Sequence, residues 1–287
     1  MIWATLAIPA DGRVVRLRHN GTRYAKLEMM LIDTHCHLTY EGLEERQADV
    51  VQRAASAGVH RMISIGTHPA DHPRVLETAA AFGQVFAALG IHPHHAGEVA
   101  ETFTEELQWA IGSSAKVLAV GECGLDYHGN SAAPETQKTA FLRQIELAEQ
   151  LRLPMILHVR EAHDDALAIM KQHPAVRFVV HCFTGTPEEC GRWMELGAYI
   201  GFTGVITYKN APDVRAACKL VAEDRLLIET DSPYLTPQAV RKIKPNEPAF
   251  VAHVAQALAA ERGWTQRQTA DITSANAARL FGGALLA

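Results

Sequence analysis

Two histidines stand two residues apart at the end of the apolar run Leu31-Ile32-Asp33-Thr34-His35-Cys36-His37. Side chains alternate along a strand, so Asp33, His35 and His37 are expected on one face, Thr34 and Cys36 on the other. Paired imidazoles on one face can hold a divalent ion. His-x-His alone is a weak signal in a chain with fifteen histidines. It gains weight because ligand-type residues recur at the ends of later apolar runs: Glu122 after Val117–Gly121, His158 after Met155–Leu157, His181 after Phe178–Val180, and Asp231 after Leu226–Thr230.

Each of these residues has an ordinary structural reading when taken singly. His158 and His181 could be hydrogen-bonded interior histidines, and Glu122 an ion-pair partner. Five strand ends all carrying ligand types are hard to obtain by independent accident. Together, His35, His37, Glu122, His158, His181 and Asp231 exceed the three protein ligands of a catalytic zinc ion with one open position. Six ligands suit two ions about 3.5–4 Å apart, bridged by a carboxylate and a hydroxide. Glu122 is the candidate bridge. Asp231 can ligate and also accept a proton, because a carboxylate beside cations stays ionised at neutral pH. The expected catalytic pair is therefore Asp231 and Glu122, and the reaction class is hydrolysis. His92 and Arg160 are the candidate substrate-binding residues. His94 and His95 could contact substrate or form a solvated loop, Lys209 and Arg241 could hold an anion or sit in salt bridges, and Asp33 could orient an imidazole from behind. His128, His163 and His173 read as surface residues.

The elements that must position these groups follow from periodicity. Eight β-branched or apolar runs occur near 31–37, 61–66, 85–91, 117–123, 154–159, 177–183, 198–203 and 226–231. Helical segments separate them, as in 135–151, where Phe141, Leu142, Ile145, Ala148 and Leu151 make one stripe. Thr186 with Glu189, Thr102 with Glu105 and Thr265 with Gln268 have capping-box spacing. A helix over 247–262 should stop at Gly263, and the last one near Gly282. Alternating strands and helices give a parallel sheet. Eight units favour one closed (β/α)₈ TIM barrel over residues 30–287, with extra C-terminal helices, and an open doubly wound sheet is the alternative. Barrel chemistry sits at the C-terminal strand ends, where all six candidate ligands fall. No Gly-x-Gly-x-x-Gly follows an early strand, which argues against a dinucleotide fold.

The 287 residues are 48% hydrophobic with a formal charge of −5, so broad electrostatic adhesion to nucleic acid is not expected. Five cysteines without a Cys-x-x-Cys fit free thiols in a reducing cytoplasm. By alternation, Cys36, Cys123 and Cys182 should turn away from the site into the core. No run is long enough to span a bilayer. Residues 1–29 read as a loosely packed extension or an upstream start. A monomer without an obligate protein partner or a membrane is the plain expectation.

With these residues assembled, the chain resembles the TatD family of metal-dependent deoxyribonucleases, a branch of the amidohydrolase-like barrels. The resemblance covers residues from about 30 to 285 and rests on motifs in order: Ile32–Leu38, Gly90-Ile91-His92-Pro93, Gly121–Tyr127, Leu157–Arg160, His181–Gly185, Glu229–Leu235 and Pro245-Asn246-Glu247-Pro248. It implies His35, His37, Glu122, His158, His181 and Asp231 as ligands of one or two divalent ions (Mg, Mn or Zn), with Asp231 as proton acceptor. The implied activity is hydrolysis of DNA, 3′–5′ exonucleolytic with a preference for single strands. The alternative keeps the metals and changes the bond, to an amide or ester as in an aminoacyl-tRNA deacylase or lactonase. The chain departs from the family pattern over its first 29 residues and at Arg241-Lys242-Ile243-Lys244.

Overall fold

A computed structural model describes residues 30–129 and 132–287. The expectation for residues 1–29 falls outside the described residues. Eight parallel strands are hydrogen-bonded in the order of the sequence: β1 (Leu31–Cys36), β2 (Val59–Gly66), β3 (Val85–Leu89), β4 (Val117–Asp126), β5 (Met155–Arg160), β6 (Phe178–Val180), β7 (Tyr199–Phe202) and β8 (Leu226–Ile228). The helices between them are α1 (Gln47–Ser56), α2 (His72–Ala81), α3 (Phe103–Gly112), α4 (Pro134–Leu151), α5 (His163–Met170), α6 (Pro187–Glu195) and α7 (Pro212–Leu220). α8 (Val251–Arg262) and α9 (Gln266–Phe281) follow the last strand. This is the expected (β/α)₈ barrel. No helix among the described residues is long and apolar enough to cross a membrane.

Strand alternation divides the core in two. Ile63, Ile65, Phe86, Ala88, Ile156 and Leu227 fill the barrel lumen, with Leu280, Phe281 and Leu285 of the C-terminal segment packed onto them. The alternate positions Met62, Val85, Ala87, Leu89, Met155 and Leu226 pack outward against the helices. The lumen floor is thus filled with hydrocarbon, and a cavity opens at the mouth.

Local signals set some of the helix ends. Thr186 and Glu189 form the expected capping box of α6, and Thr265 with Gln268 that of α9. Gly263 takes the left-handed conformation that ends α8. Two expectations need correction. Thr102 makes no side-chain cap on α3 and instead donates to Glu106 at 3.2 Å, because its backbone is already near-helical (φ −84, ψ 6). The segment 247–250 is not α-helix: a 3₁₀ turn over Pro248–Phe250 precedes α8, and Glu247 is held by the Arg53 guanidinium at 2.7 Å.

The seam between β1 and β8 closes the barrel by other means than a regular ladder. Asp231 N donates to His35 O at 2.9 Å, and His37 N to Ser232 O at 2.8 Å. The Thr34 hydroxyl donates to Ile228 O at 3.2 Å, and Asp33 adds more. Its Oδ1 accepts from the backbone N–H of Thr230 at 2.9 Å and its Oδ2 from the Thr230 hydroxyl at 2.6 Å. Register shifts in β1 turn Asp33 sideways towards β8, so it clasps backbone and does not orient an imidazole as the alternation suggested. Burial pushes its carboxyl up to about 8, against the pull of the Thr230 and His35 donors. Removing this clasp strands buried donors. Asp33→Ala should cost about 2–4 kcal/mol, read as a lower denaturant midpoint at unchanged slope, and Asp33→Asn should recover part of it. An Asp33→Ala protein as stable as the parent would show that the seam closes without this side chain.

Candidate metal centre

The six side chains singled out at strand ends converge at the barrel mouth. His35 ends β1 and His37 follows it. Glu122 lies within β4, His158 within β5, His181 follows β6 and Asp231 follows β8. All but His158 are buried, apart from a partly open Asp231. All of them except the fully buried His35 line a cavity of about 680 Å³ together with His92, His94, His95, Asp126, Arg160, Cys182 and Tyr234.

Glu122 organises the arrangement, with one carboxylate oxygen for each of two donor sets. Its Oε2 lies 3.4 Å from His35 Nε2 and 3.8 Å from His37 Nε2. Those nitrogens are 3.2 Å apart, and Asp231 Oδ1 lies 3.6 and 3.4 Å from them. A tetrahedral ion with ligands at about 2.0–2.2 Å has ligand-to-ligand edges of about 3.3–3.6 Å. His35, His37 and Glu122 are therefore close enough to share one small cation, with Asp231 beside the two imidazoles. On the other side, Glu122 Oε1 lies 2.8 Å from both His158 Nδ1 and His181 Nε2, which are 3.3 Å from each other. That set has three donors and faces the cavity.

Two further carboxylates stand behind the imidazoles. Asp126 Oδ2 meets His158 Nε2 at 2.9 Å, and Glu229 Oε1 lies 3.5 Å from His181 Nδ1. Such a carboxylate fixes ring orientation and tautomer. Neither was singled out from the sequence, yet a signal was there: Asp126 is two strand pairs of alternation past Glu122, and Glu229 two residues before Asp231, so each can share a face with its neighbour. Room for Glu229 comes from Gly201, where a Cβ would stand 2.6 Å from its carboxylate.

The charge balance is set by proximity. Burial works against ionisation of Glu122, but His181, His92 and His35 outweigh it and hold this carboxyl well below the usual range. Asp231 is likewise held low: burial opposes, while the His37 hydrogen bond and the His35 and His181 imidazoles prevail. His158 is raised, because Asp126 and Glu122 overcome its desolvation. His92 goes the other way. Burial lowers it to about 3, so it is neutral. Its Nδ1 accepts from His94 N at 3.1 Å, which assigns the proton to Nε2, 3.6 Å from Glu122 Oε1. His92 is thus a hydrogen-bond donor aimed into the cavity.

Backbone strain also gathers here. Asp231 (φ 52) and Cys182 (φ 46) both occupy the left-handed region. Cys182 lines the cavity and is only half-buried, 3.6 Å from Thr203 Oγ1, whereas Cys36 and Cys123 lie in the core. The positive φ at Cys182 turns it out of the alternation that was expected to bury it. Arg160 is exposed on the cavity rim. Of the histidines expected at the surface, His128 is exposed and pairs with Glu161, but His163 is mostly covered and accepts the indole N–H of Trp193 at 3.0 Å.

The model of the family described as TatD related DNase matches residues 32–282. A metal-dependent hydrolase of Bacillus subtilis (strain 168), YabD, is 40% identical over 256 residues, 88% of this chain and 99% of the relative. The 3′-5′ ssDNA/RNA exonuclease TatD of Erwinia billingiae is 37% identical over 258 residues, 88% of this chain and 98% of that one. Among solved structures, the TatD homologue YjjV of Escherichia coli K12 superposes with a TM-score of 0.83 at 35% identity, over 88% of this chain and 97% of that one. A match of this extent, on a barrel whose mouth gathers imidazoles and carboxylates, places the chain in the TatD-related DNase family of metal-dependent hydrolases.

Proposed function

We propose that this protein hydrolyses phosphodiester bonds of single-stranded nucleic acid, DNA first, removing nucleotides from the 3′ end with the help of divalent cations. The observation that carries the reading is the split of Glu122 between two donor sets, one per carboxylate oxygen. In this reading His35, His37, Glu122 and Asp231 hold one cation, and Glu122, His158 and His181 a second, with Mg, Mn and Zn as candidates. Relatives named as 3′-5′ ssDNA/RNA exonucleases support the choice of substrate. When bound, such cations neutralise phosphoryl charge and lower the pKa of water at the site.

The remaining work falls to the chain. Asp231, ionised and partly open to the cavity, takes the proton of the attacking water. The water oxygen bonds to phosphorus, the bond from phosphorus to the 3′ oxygen of the preceding sugar breaks, and that oxygen leaves as a hydroxyl with a proton from solvent. The Nε2–H of neutral His92 donates to a phosphoryl oxygen in the cavity, and Arg160 at the rim offers a cation to a neighbouring phosphate. Asp126 and Glu229 act as positioning residues through His158 and His181. We take residues 30–287 as one hydrolase unit acting as a monomer. Its free thiols suit a reducing compartment, so we place it in the cytoplasm.

End-labelled single-stranded oligonucleotides incubated with Mg²⁺, Mn²⁺ or Zn²⁺ should shorten stepwise from the 3′ end, faster than blunt duplexes, and not at all in excess chelator. Asp231→Asn should lower kcat by about 10²–10⁴ with the thermal melt preserved. Parent-like cleavage by that variant would remove Asp231 from the role of base. A parent protein inert towards oligonucleotides but active on carboxyl esters or amides would replace the phosphodiester reading. Separately, in chelator-treated protein, Asp126→Ala should lower the pKa of the His158 imidazole, followed by NMR titration of its ring protons. An unchanged titration would mean that Asp126 does not hold the ring.

A further inference from the structure

The residues that line the cavity differ in kind. The lining includes the polar His94, His95 and Arg160 and, besides these, Tyr40, Val205, Tyr234 and Leu235. Tyr40 is committed to the structure. Its hydroxyl is 3.0 Å from Thr67 Oγ1, and its ring stacks on His37 with centroids 4.4 Å apart.

Tyr234 is different. It is 53% exposed, which is unusual for an aromatic ring beside a buried polar site. Its ring meets Tyr40 at 79° and His37 at 67°, so it has no parallel ring partner among the described residues. Its backbone, by contrast, is pinned. Tyr234 N donates to Asp231 O at 2.9 Å, and the Asn246 amide donates to both the Tyr234 and Thr230 carbonyls. A fixed backbone presenting a free ring face, three residues past Asp231, has the form of a stacking platform.

The charge around it points to the same class of ligand. Residues 236–246 contain Arg241, Lys242 and Lys244 and no acid, in a chain of net charge −5. All three are exposed, and none is ion-paired among the described residues, whereas Arg53, Arg74, Arg192, Lys219 and Arg225 each have a carboxylate partner. Arg241 lies over the Tyr208 ring at 4.5 Å, and Lys244 reaches Thr236 Oγ1 at 3.2 Å. Aromatic faces interleaved with unpaired cations suit an unstacked strand: the rings take bases and the cations follow the phosphates.

We propose that Tyr234 is the specificity residue that stacks on an unpaired nucleobase of the strand whose phosphodiester enters the Glu122 site. The proposal rests on the nuclease reading, and its test separates the two. Binding of a fluorescein-labelled, all-phosphorothioate oligothymidylate to the Mn²⁺-loaded protein is followed by anisotropy, beside an abasic strand of equal length. One base stacked on an aromatic side chain is worth about 1–3 kcal/mol, or roughly 5- to 150-fold in Kd. Tyr234→Ala should weaken binding of the thymidylate strand by a factor in that range and leave the abasic strand unaffected. Tyr234→Phe should bind like the parent, since stacking needs the ring and not the hydroxyl. Equal affinity of Tyr234→Ala and parent for the thymidylate strand overturns the proposal. So does an equal loss on the abasic strand, which marks a structural effect, and so does a parent that binds neither strand. If base-dependent binding is lost in Tyr234→Ala while the parent cleaves nothing, the nuclease reading fails and the platform stands.

Discussion

The structure depends on keeping a dense group of ionisable side chains out of water at the end of an apolar barrel. Glu122 is the centre of it. Transferring one carboxylate from water to the interior costs several kcal/mol even after relaxation. Glu122 recovers this by having imidazole nitrogens from β1, β5 and β6 within 2.8–3.8 Å of its two oxygens. The imidazoles in turn need their far nitrogens satisfied, which Asp126 does for His158. Removing one member leaves a buried charge without compensation, so the cluster behaves as a unit and its single contacts are not additive.

Only a closed sheet could hold such a unit. The donors come from five different strands or the residues just past their ends, and the ladder hydrogen bonds between strands set how far apart those ends lie. That is why the β1–β8 seam matters beyond its own stability. His35, His37 and Asp231 sit on its two sides, and the bonds Asp231 N to His35 O and His37 N to Ser232 O join those residues directly. The Asp33 clasp on Thr230 lies one residue from Asp231. Barrel closure and the geometry of the first donor set are the same set of contacts. Close strand approach has a similar role at β4 and β5. A Cβ at Gly124, where φ is +136, would stand 2.1 Å from the His158 carbonyl oxygen, so only glycine lets these strands bring Glu122 and His158 together.

Much of this was legible in the sequence because two periodicities carry it. Apolar runs separated by helical stripes gave the eight strands, and the residue type at the end of each run gave the donors that the fold gathers. What stayed hidden depended on departures from regular geometry. Alternation mislaid Asp33, because register shifts in β1 turn it against β8. It also mislaid Cys182, because a positive φ at that residue turns its side chain to the cavity. Thr102 had the spacing of a cap but not the extended backbone that a cap requires. Asp126 and Glu229 were passed over for a different reason. Each sits next to a stronger candidate, and the role of a carboxylate behind an imidazole appears only once two distant strands are side by side.

The floor of the cavity and its rim answer to different constraints. At the floor the imidazoles and carboxylates stand within 4 Å of one another, and a substitution must respect both charge balance and barrel closure. At the rim, Tyr234 and Arg160 are exposed, as are Arg241 and Lys242 in the segment that follows Tyr234. Loops of this kind can change residue type at little cost to stability. Substrate choice within a family that shares this floor is therefore expected to reside in the segments after β5 and β8, and chemistry in the strand ends. The net charge fits that division. A chain of −5 overall does not draw in a polyanion from all sides, so attraction is local, and the acid-free segment 236–246 adds its field to that of Arg160. Binding steered by three cations and completed by a ring loses its electrostatic part as salt rises and keeps its stacking part, because only the first releases counterions.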